Sequence, residues 1–234
     1  MKLKELRDEL ESLADREMAE FAARYFKTGP GEYGEGDTFL GIRTPDLRKV
    51  ARKFKGLSLE ETERLLRSEI HEERFVALAI LVNRFKKGGD EEKEKIYRMY
   101  LVNSRYINNW DLVDVSVKDI VGAFLWEKDR GPLYELAGSD NLWERRMAIM
   151  ATFFFIKQGE LKETFRIAEM LLHDPEDLIH KAVGWMLREA GKRDREAEEE
   201  FLEKHYREMP RTMLRYAIEK FPEERRKAYL GGKV

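Results

Sequence analysis

With 234 residues, of which 42% are hydrophobic and 38% charged, the chain is long enough to bury a substantial core and carries more charge than the usual quarter or so of a globular protein. The charges nearly cancel to a formal net charge of -2, so bulk electrostatics do not draw it to a membrane or a nucleic acid, and a polyanion must be met by a local patch. The absence of cysteine excludes disulfides, thiolate nucleophiles and thiolate metal sites, and the four scattered histidines (His71, His173, His180, His205) form no HxxxH pair.

In chain order the sequence reads as helix after helix. Its start, MKLKELRDELESL, is an amphipathic helix rather than a signal peptide, and no apolar run nears the roughly 18 residues of a membrane span, so a soluble, cytoplasmic protein is expected. Residues 2–13 and 16–27 form a first pair. Leu3, Leu6 and Leu10 share a face of one helix, and Met18, Phe21, Ala22 and Tyr25 share a face of the other. The glycine-rich stretch 29–36 lacks the lysine of a phosphate loop and follows no strand, so a flexible surface loop is predicted. Thr44 as N-cap and Pro45 at the first helical position open the next helix, which Gly56 ends. Ser58-Leu59-Glu60-Glu61 has the capping-box pattern. Later starts are signalled by Ser139/Asp140 and Asp174-Pro175, and stops by Gly88-Gly89, Gly159 and Gly191. No segment sustains a period of two; residues 113–117 come nearest, but 110–121 fits a helix as well and has helical neighbours.

Three segments, 72–89, 143–159 and 177–191, can be laid over one another. Each has an alanine at a comparable place (Ala77, Ala148, Ala182) and a glycine stop, and each is followed by a second helix at 91–102, 161–172 or 195–206. Helix–turn–helix units of roughly 35 to 45 residues suit a repeat solenoid. The expectation is an all-α, HEAT-like solenoid of about six or seven helix pairs, a single domain over residues 1–234, with a concave face able to cradle something elongated.

The chemistry concentrates in Asn108-Asn109-Trp110-Asp111-Leu112-Val113-Asp114. On a helix Trp110 and Asp114 share a face that Val117 and Val121 continue, and Asp111 points about 60° to one side of Asp114. A carboxylate on an apolar stripe is costly unless it is paired or has work to do, and Lys118 is the nearest counter-charge in sequence. Its plain alternative is a cap or a salt bridge, with Trp110 as core filler. Arg146 lies on a stripe with Trp143, Met150 and Phe153, where it wants an anion in front of it; the plain alternative is a buried pair with a carboxylate of an adjacent helix such as Asp114. Trp185 shares a face with Lys181, Ala182 and Arg188, a tryptophan flanked by cations that suits a groove facing a nucleic-acid backbone, although tryptophan is more often core.

NNWDLVD, DNLWERRMAI and HKAVGWMLREAGKRD, in that order and spacing, with FLGIRTPDLRKV upstream, resemble the AlkD-type DNA alkylation repair proteins over nearly the whole chain. The resemblance implies a HEAT-like fold clasping duplex DNA in its concave face, and a monomer is expected because one solenoid can clasp DNA alone. It also implies monofunctional glycosylase activity on cationic N3- and N7-alkylpurines without a metal or cofactor. It carries the catalytic aspartate onto Asp114, the two site-lining tryptophans onto Trp110 and Trp185, the phosphate-contacting arginine onto Arg146 and an N-terminal tyrosine onto Tyr25. The long 29–36 insertion departs from the family's shorter loop. Two rivals remain: a non-catalytic repeat protein that binds bent or branched DNA, and a protein-binding scaffold.

Overall fold

The structure, a computed structural model, describes residues 2–234. Among these the regular structure is helical, with one isolated parallel bridge between Thr38 and Ile70. The chain forms two compact units, one ending at Ser116 and the other spanning Val117–Val234.

The first unit contains α1 (Lys2–Ser12), α2 (Arg16–Tyr25), α3 (Thr44–Lys53), α4 (Leu59–Leu66), α5 (His71–Lys87), α6 (Asp90–Val102) and nearly all of α7 (Trp110–Val117). Its centre is α5, against which α3, α4 and α6 pack. Val76, Ala77, Leu78, Ile80 and Leu81 of α5 are fully buried, so this helix is apolar on most sides rather than striped. Each such leucine contributes about 2 kcal/mol by burial.

The second unit contains α8 (Ala123–Leu125), α9 (Gly131–Ala137), α10 (Leu142–Lys157), α11 (Lys162–Met170), α12 (Asp177–Gly191), α13 (Arg195–His205), α14 (Arg211–Ala217) and α15 (Glu223–Leu230). Here α10 and α12 are central, with α9 and α11 on α10, and α13 and α14 on α12. The crossing of α12 and α14 is close because Gly184 has no side chain: a β-carbon there would stand 2.5 Å from Cβ of Tyr216 and closer still to the Met213 carbonyl oxygen.

The three segments that overlay in sequence are α5, α10 and α12, and their alanines Ala77, Ala148 and Ala182 are all buried. Each is followed by a shorter helix, α6, α11 or α13, that buries one face. This is the expected all-α helical-repeat architecture.

The local signals differ in detail. Ser58 and Glu61 make the reciprocal capping box, with Ser58 Oγ accepting from the Glu61 N–H at 3.1 Å and Glu61 Oε2 accepting from the Ser58 N–H at 3.2 Å. Thr44 is not an N-cap: the helix begins at Thr44 itself, Arg43 precedes it, and no side chain caps that end. For α10 the cap is Asn141 rather than Ser139 or Asp140, with Asn141 Oδ1 accepting from the Trp143 N–H at 2.8 Å. The apolar face of α2 does not enter the core. Phe21 and Tyr25 are more than half exposed and line a cleft of about 300 Å³ with Met18, Phe39, His71 and Asp111. The 29–36 stretch is a run of closed turns rather than a loose loop. Glu32 and Glu35 side chains accept from the N–H groups of Gly29 and Gly31 at 2.9 Å each, and the Gly34 N–H donates to the Lys27 carbonyl at 2.9 Å.

Candidate functional site

The α7 helix starts where Asn109 Oδ1 accepts from the Trp110 N–H at 2.9 Å. Leu112, Val113, Ser116 and Val117 form its core face and are fully buried. Trp110, Asp111 and Asp114 are half-buried at its rim. Behind them, Ser116 Oγ donates to the Leu112 carbonyl at 2.6 Å and meets the Tyr100 hydroxyl at 2.9 Å. Burial raises the Tyr100 phenol above its ordinary pKa; the charge of Asp114 adds to the rise and the Ser116 hydrogen bond opposes it. The regular register stops at Lys118–Gly122, a wider turn of the π type, so the continuous face read through Val121 does not persist. Lys118 pairs with Asp119 at 3.2 Å.

Tyr25 and Trp110 are brought together from 85 positions apart, their rings edge-on at 6.1 Å. The end of α2 makes this corner. Lys27 takes a left-handed φ of 57°, the Thr28 N–H reaches the Ala23 carbonyl at 3.2 Å, and the Lys27 N–H reaches that of Arg24 at 3.4 Å. This is a Schellman stop with lysine where glycine is usual. It turns Phe26 onto Trp110, with the rings stacked at 5.4 Å, while Phe21 stacks on Tyr25 at 6.0 Å.

A charged cluster that sequence reasoning missed supports the same helix. His71, the first residue of α5, has Nδ1 at 3.1 Å from Asp37 Oδ2 and Nε2 at 2.9 Å from Asp111 Oδ2. Asp37 Oδ1 also accepts from Arg74 Nη2 at 2.7 Å and from the Asn108 amide at 3.2 Å. The His71 ring packs against Phe39 at 4.6 Å and Phe26 at 5.1 Å, which stack on each other at 5.2 Å. Burial alone would lower the His71 pKa, but the hydrogen bonds it donates to Asp111 and Asp37 raise it to about 9. Burial likewise works to raise Asp37, yet His71 and Arg74 hold it below the usual carboxylate range. The available signal was Asp111, an acid in the first turn that lies about 60° to one side of Asp114 and has no counter-charge on its own helix.

The other expected residues belong to the second unit. Arg146 is only 5% exposed, and its Nη1 donates to the Leu178 carbonyl at 2.7 Å. Its neighbour Arg145 is committed to Asp174, with Nε at 2.6 Å. Trp185 is half-buried, donates from Nε1 to Glu189 at 3.2 Å and faces Phe153 at 6.1 Å. Lys181 pairs with Asp177 at 2.7 Å and remains partly accessible. Among the described residues no group of three or more His, Asp or Glu is arranged to hold a metal ion, and no helix is long and apolar enough to cross a membrane.

A sequence model of the DNA alkylation repair enzyme family matches residues 6–221, most of the chain. The chain belongs to that family. Membership supports a role in the repair of alkylated DNA. Among solved structures, the predicted DNA alkylation repair enzyme from Enterococcus faecalis is similar at a TM-score of 0.69 and 18% identity, covering 90% of this chain and 97% of its own. The smu.31 protein from Streptococcus mutans UA159 is similar at a TM-score of 0.54 and 17% identity, covering 95% of this chain and 100% of its own. At these identities the likeness shows the fold. Among curated proteins none matches the sequence.

Proposed function

We propose that the protein is a monofunctional DNA glycosylase that releases cationic N3- and N7-alkylpurines from duplex DNA, working as a monomer in base excision repair. The observation that carries this reading is the rim of α7: Asp114 and Trp110 stand four residues apart on one face, both half-buried, while the opposite face is locked into the core. Asp114 is neither fully buried nor fully exposed, and the indole one turn before it shares its face.

The chemistry follows from charge. An alkylated purine with a formal positive charge is already a good leaving group and needs no general acid. Breaking its N-glycosidic bond develops positive charge on the deoxyribose, in an oxocarbenium-like transition state. The Asp114 carboxylate stabilises that charge and orients the attacking water. The indole faces of Trp110 and Trp185 present electron density to the cationic sugar and base. Tyr25 buttresses Trp110 at the strand, while Arg146 and Lys181 contact the phosphate backbone and set its register. Neutral lesions, which require protonation to leave, are poor substrates for such a site. No lysine is assigned to Schiff-base chemistry, so strand cleavage is not part of the reaction.

Asp114→Asn tests the assignment, since it is nearly isosteric and removes the charge. Duplex binding is retained and excision is lost if the carboxylate does the work. Excision of 7-methylguanine by Asp114→Asn at the wild-type rate would remove Asp114 from the chemistry even in a confirmed glycosylase.

A further inference from the structure

We infer that His71 is the positioning residue of the α7 rim: a doubly donating imidazolium that ties Asp37 of the loop before α3 to Asp111 in the first turn of α7. It thereby fixes the direction in which Trp110 and Asp114 are presented. The activity readout of this inference rests on the glycosylase reading; the geometry does not.

Proton counting fixes the charge of the ring. Each ring nitrogen of His71 faces a carboxylate oxygen, at 3.1 and 2.9 Å, and the ring is buried against two phenylalanines. A neutral imidazole has one N–H and one lone pair, so it can satisfy only one of the two carboxylates. With both nitrogens protonated, Asp37, Asp111, His71 and Arg74 form a neutral quartet. The charged groups facing His71 are Asp37 from the loop, Asp111 from α7 and Arg74 from its own helix; α2 contributes the ring of Phe26 and the loop that of Phe39. Glu72, which lines the same cleft, is occupied by the backbone N–H groups of Leu40, Gly41 and Ile42.

The two carboxylates are not equivalent. The Asp37 side chain is 2% exposed and keeps Arg74 as a second partner, whereas Asp111 is 18% exposed and pairs with His71 at its more accessible end. Loss of the proton therefore frees Asp111 first. Asp111 adjoins Trp110 and precedes Asp114 by three residues, and Phe26 contacts both His71 and Trp110. Release loosens the turn that carries the indole and the catalytic carboxylate while leaving the fold and the cationic DNA contacts in place. A displacement on the order of 1 Å at a reacting group costs about 100-fold in rate.

The test combines three measurements from pH 6 to 10 on wild type, His71→Gln and Asp111→Asn: nitrogen-15 NMR of the His71 ring and the Trp110 indole, duplex affinity, and single-turnover excision. In wild type both ring nitrogens give imidazolium shifts at pH 7.5, and the ring, the Trp110 indole signal and the excision rate change together at one alkaline midpoint. His71→Gln excises about 10- to 100-fold more slowly with duplex affinity little changed, and it lacks that limb. Asp111→Asn removes one anionic partner, so the imidazolium is less stabilised and the midpoint moves to lower pH. A neutral His71 at pH 7.5, or identical pH profiles in wild type and His71→Gln, would overturn the inference. If His71→Gln does not fold, the wild-type and Asp111→Asn midpoints decide it. If wild type releases no base, the glycosylase reading fails, while coincidence or divergence of the His71 and Trp110 NMR midpoints still decides the positioning claim.

Discussion

Glu198 on α13 offers a quantitative test of how the second unit is packed. It is 2% exposed, its Oε1 has no protein hydrogen-bond partner, and its carboxylate lies so close to Gly191 that a β-carbon there would collide with it. Burial pushes this carboxyl up from 4.5 to about 8; Glu199 adds to the rise, while Arg195 and Arg188 oppose it. The folded protein therefore keeps a proton that the unfolded chain releases near its ordinary pKa. Between those two values the unfolded chain binds fewer protons, so stability is full below about pH 4.5 and declines as pH rises towards about 8. At about 1.4 kcal/mol per unit, the penalty reaches roughly 3 kcal/mol at pH 7 and roughly 5 kcal/mol above pH 8.5. Glu198→Gln removes the titration and keeps the size. Its own amide adds a constant offset of about 1–3 kcal/mol if left unpaired, so the slope is diagnostic rather than the offset. Urea unfolding of both proteins at pH 4, 7 and 9 is expected to show the variant gaining on wild type at each step. A difference that does not change with pH would refute the reasoning.

Lys27→Gly relieves the left-handed residue of the Schellman stop and is expected to stabilise the protein by about 1 kcal/mol in urea unfolding, since the Lys27–Glu32 pair at 3.9 Å is exposed and worth little. Gly184→Ala would gain about 1 kcal/mol of helix propensity but forces α12 off α14, so a net loss of stability is expected and a lowered thermal midpoint would report it. Arg146→Met keeps the bulk but leaves the Leu178 carbonyl without its charged donor, with an expected loss of about 2 kcal/mol. On the proposed reading the same change weakens duplex binding and flattens the slope of log affinity against log salt by about one.

The repeat was legible because its signals are local. Apolar residues crowd α5, α10 and α12, and Gly88, Gly159 and Gly191 mark or adjoin their ends. Cap positions shifted by a residue or two because Ser, Thr, Asp and Asn compete for the same backbone donors, and the winner depends on loop geometry, as with Asn141 over Ser139. The α7 face was readable for the same reason of spacing. The Asp37–His71–Asp111 cluster was not, since its partners lie 34 and 40 positions apart and a histidine at the start of α5 carries no periodic signal. The glycine-rich stretch misled in a related way. Its composition reads as looseness, whereas its N–H groups are held by Glu32 and Glu35, and the closed turns deliver Asp37 to the site. The exposed aromatic face of α2 shows the limit of a hydrophobic pattern: Phe21 and Tyr25 have the spacing of a core face and line a cleft instead.

On the proposed function, this family member hydrolyses the N-glycosidic bond of cationic alkylpurines. Its most direct test is single-turnover incubation of the wild-type protein with a duplex carrying 7-methylguanine, following both the free base and the strand, beside a duplex carrying a neutral oxidised purine. The proposed function predicts time-dependent release of 7-methylguanine, an abasic strand that breaks only on later alkaline treatment, and little or no release of the neutral base. Tight duplex binding with no base released from either would contradict it and would mark the Trp110–Asp114 face as part of a non-catalytic DNA-binding surface.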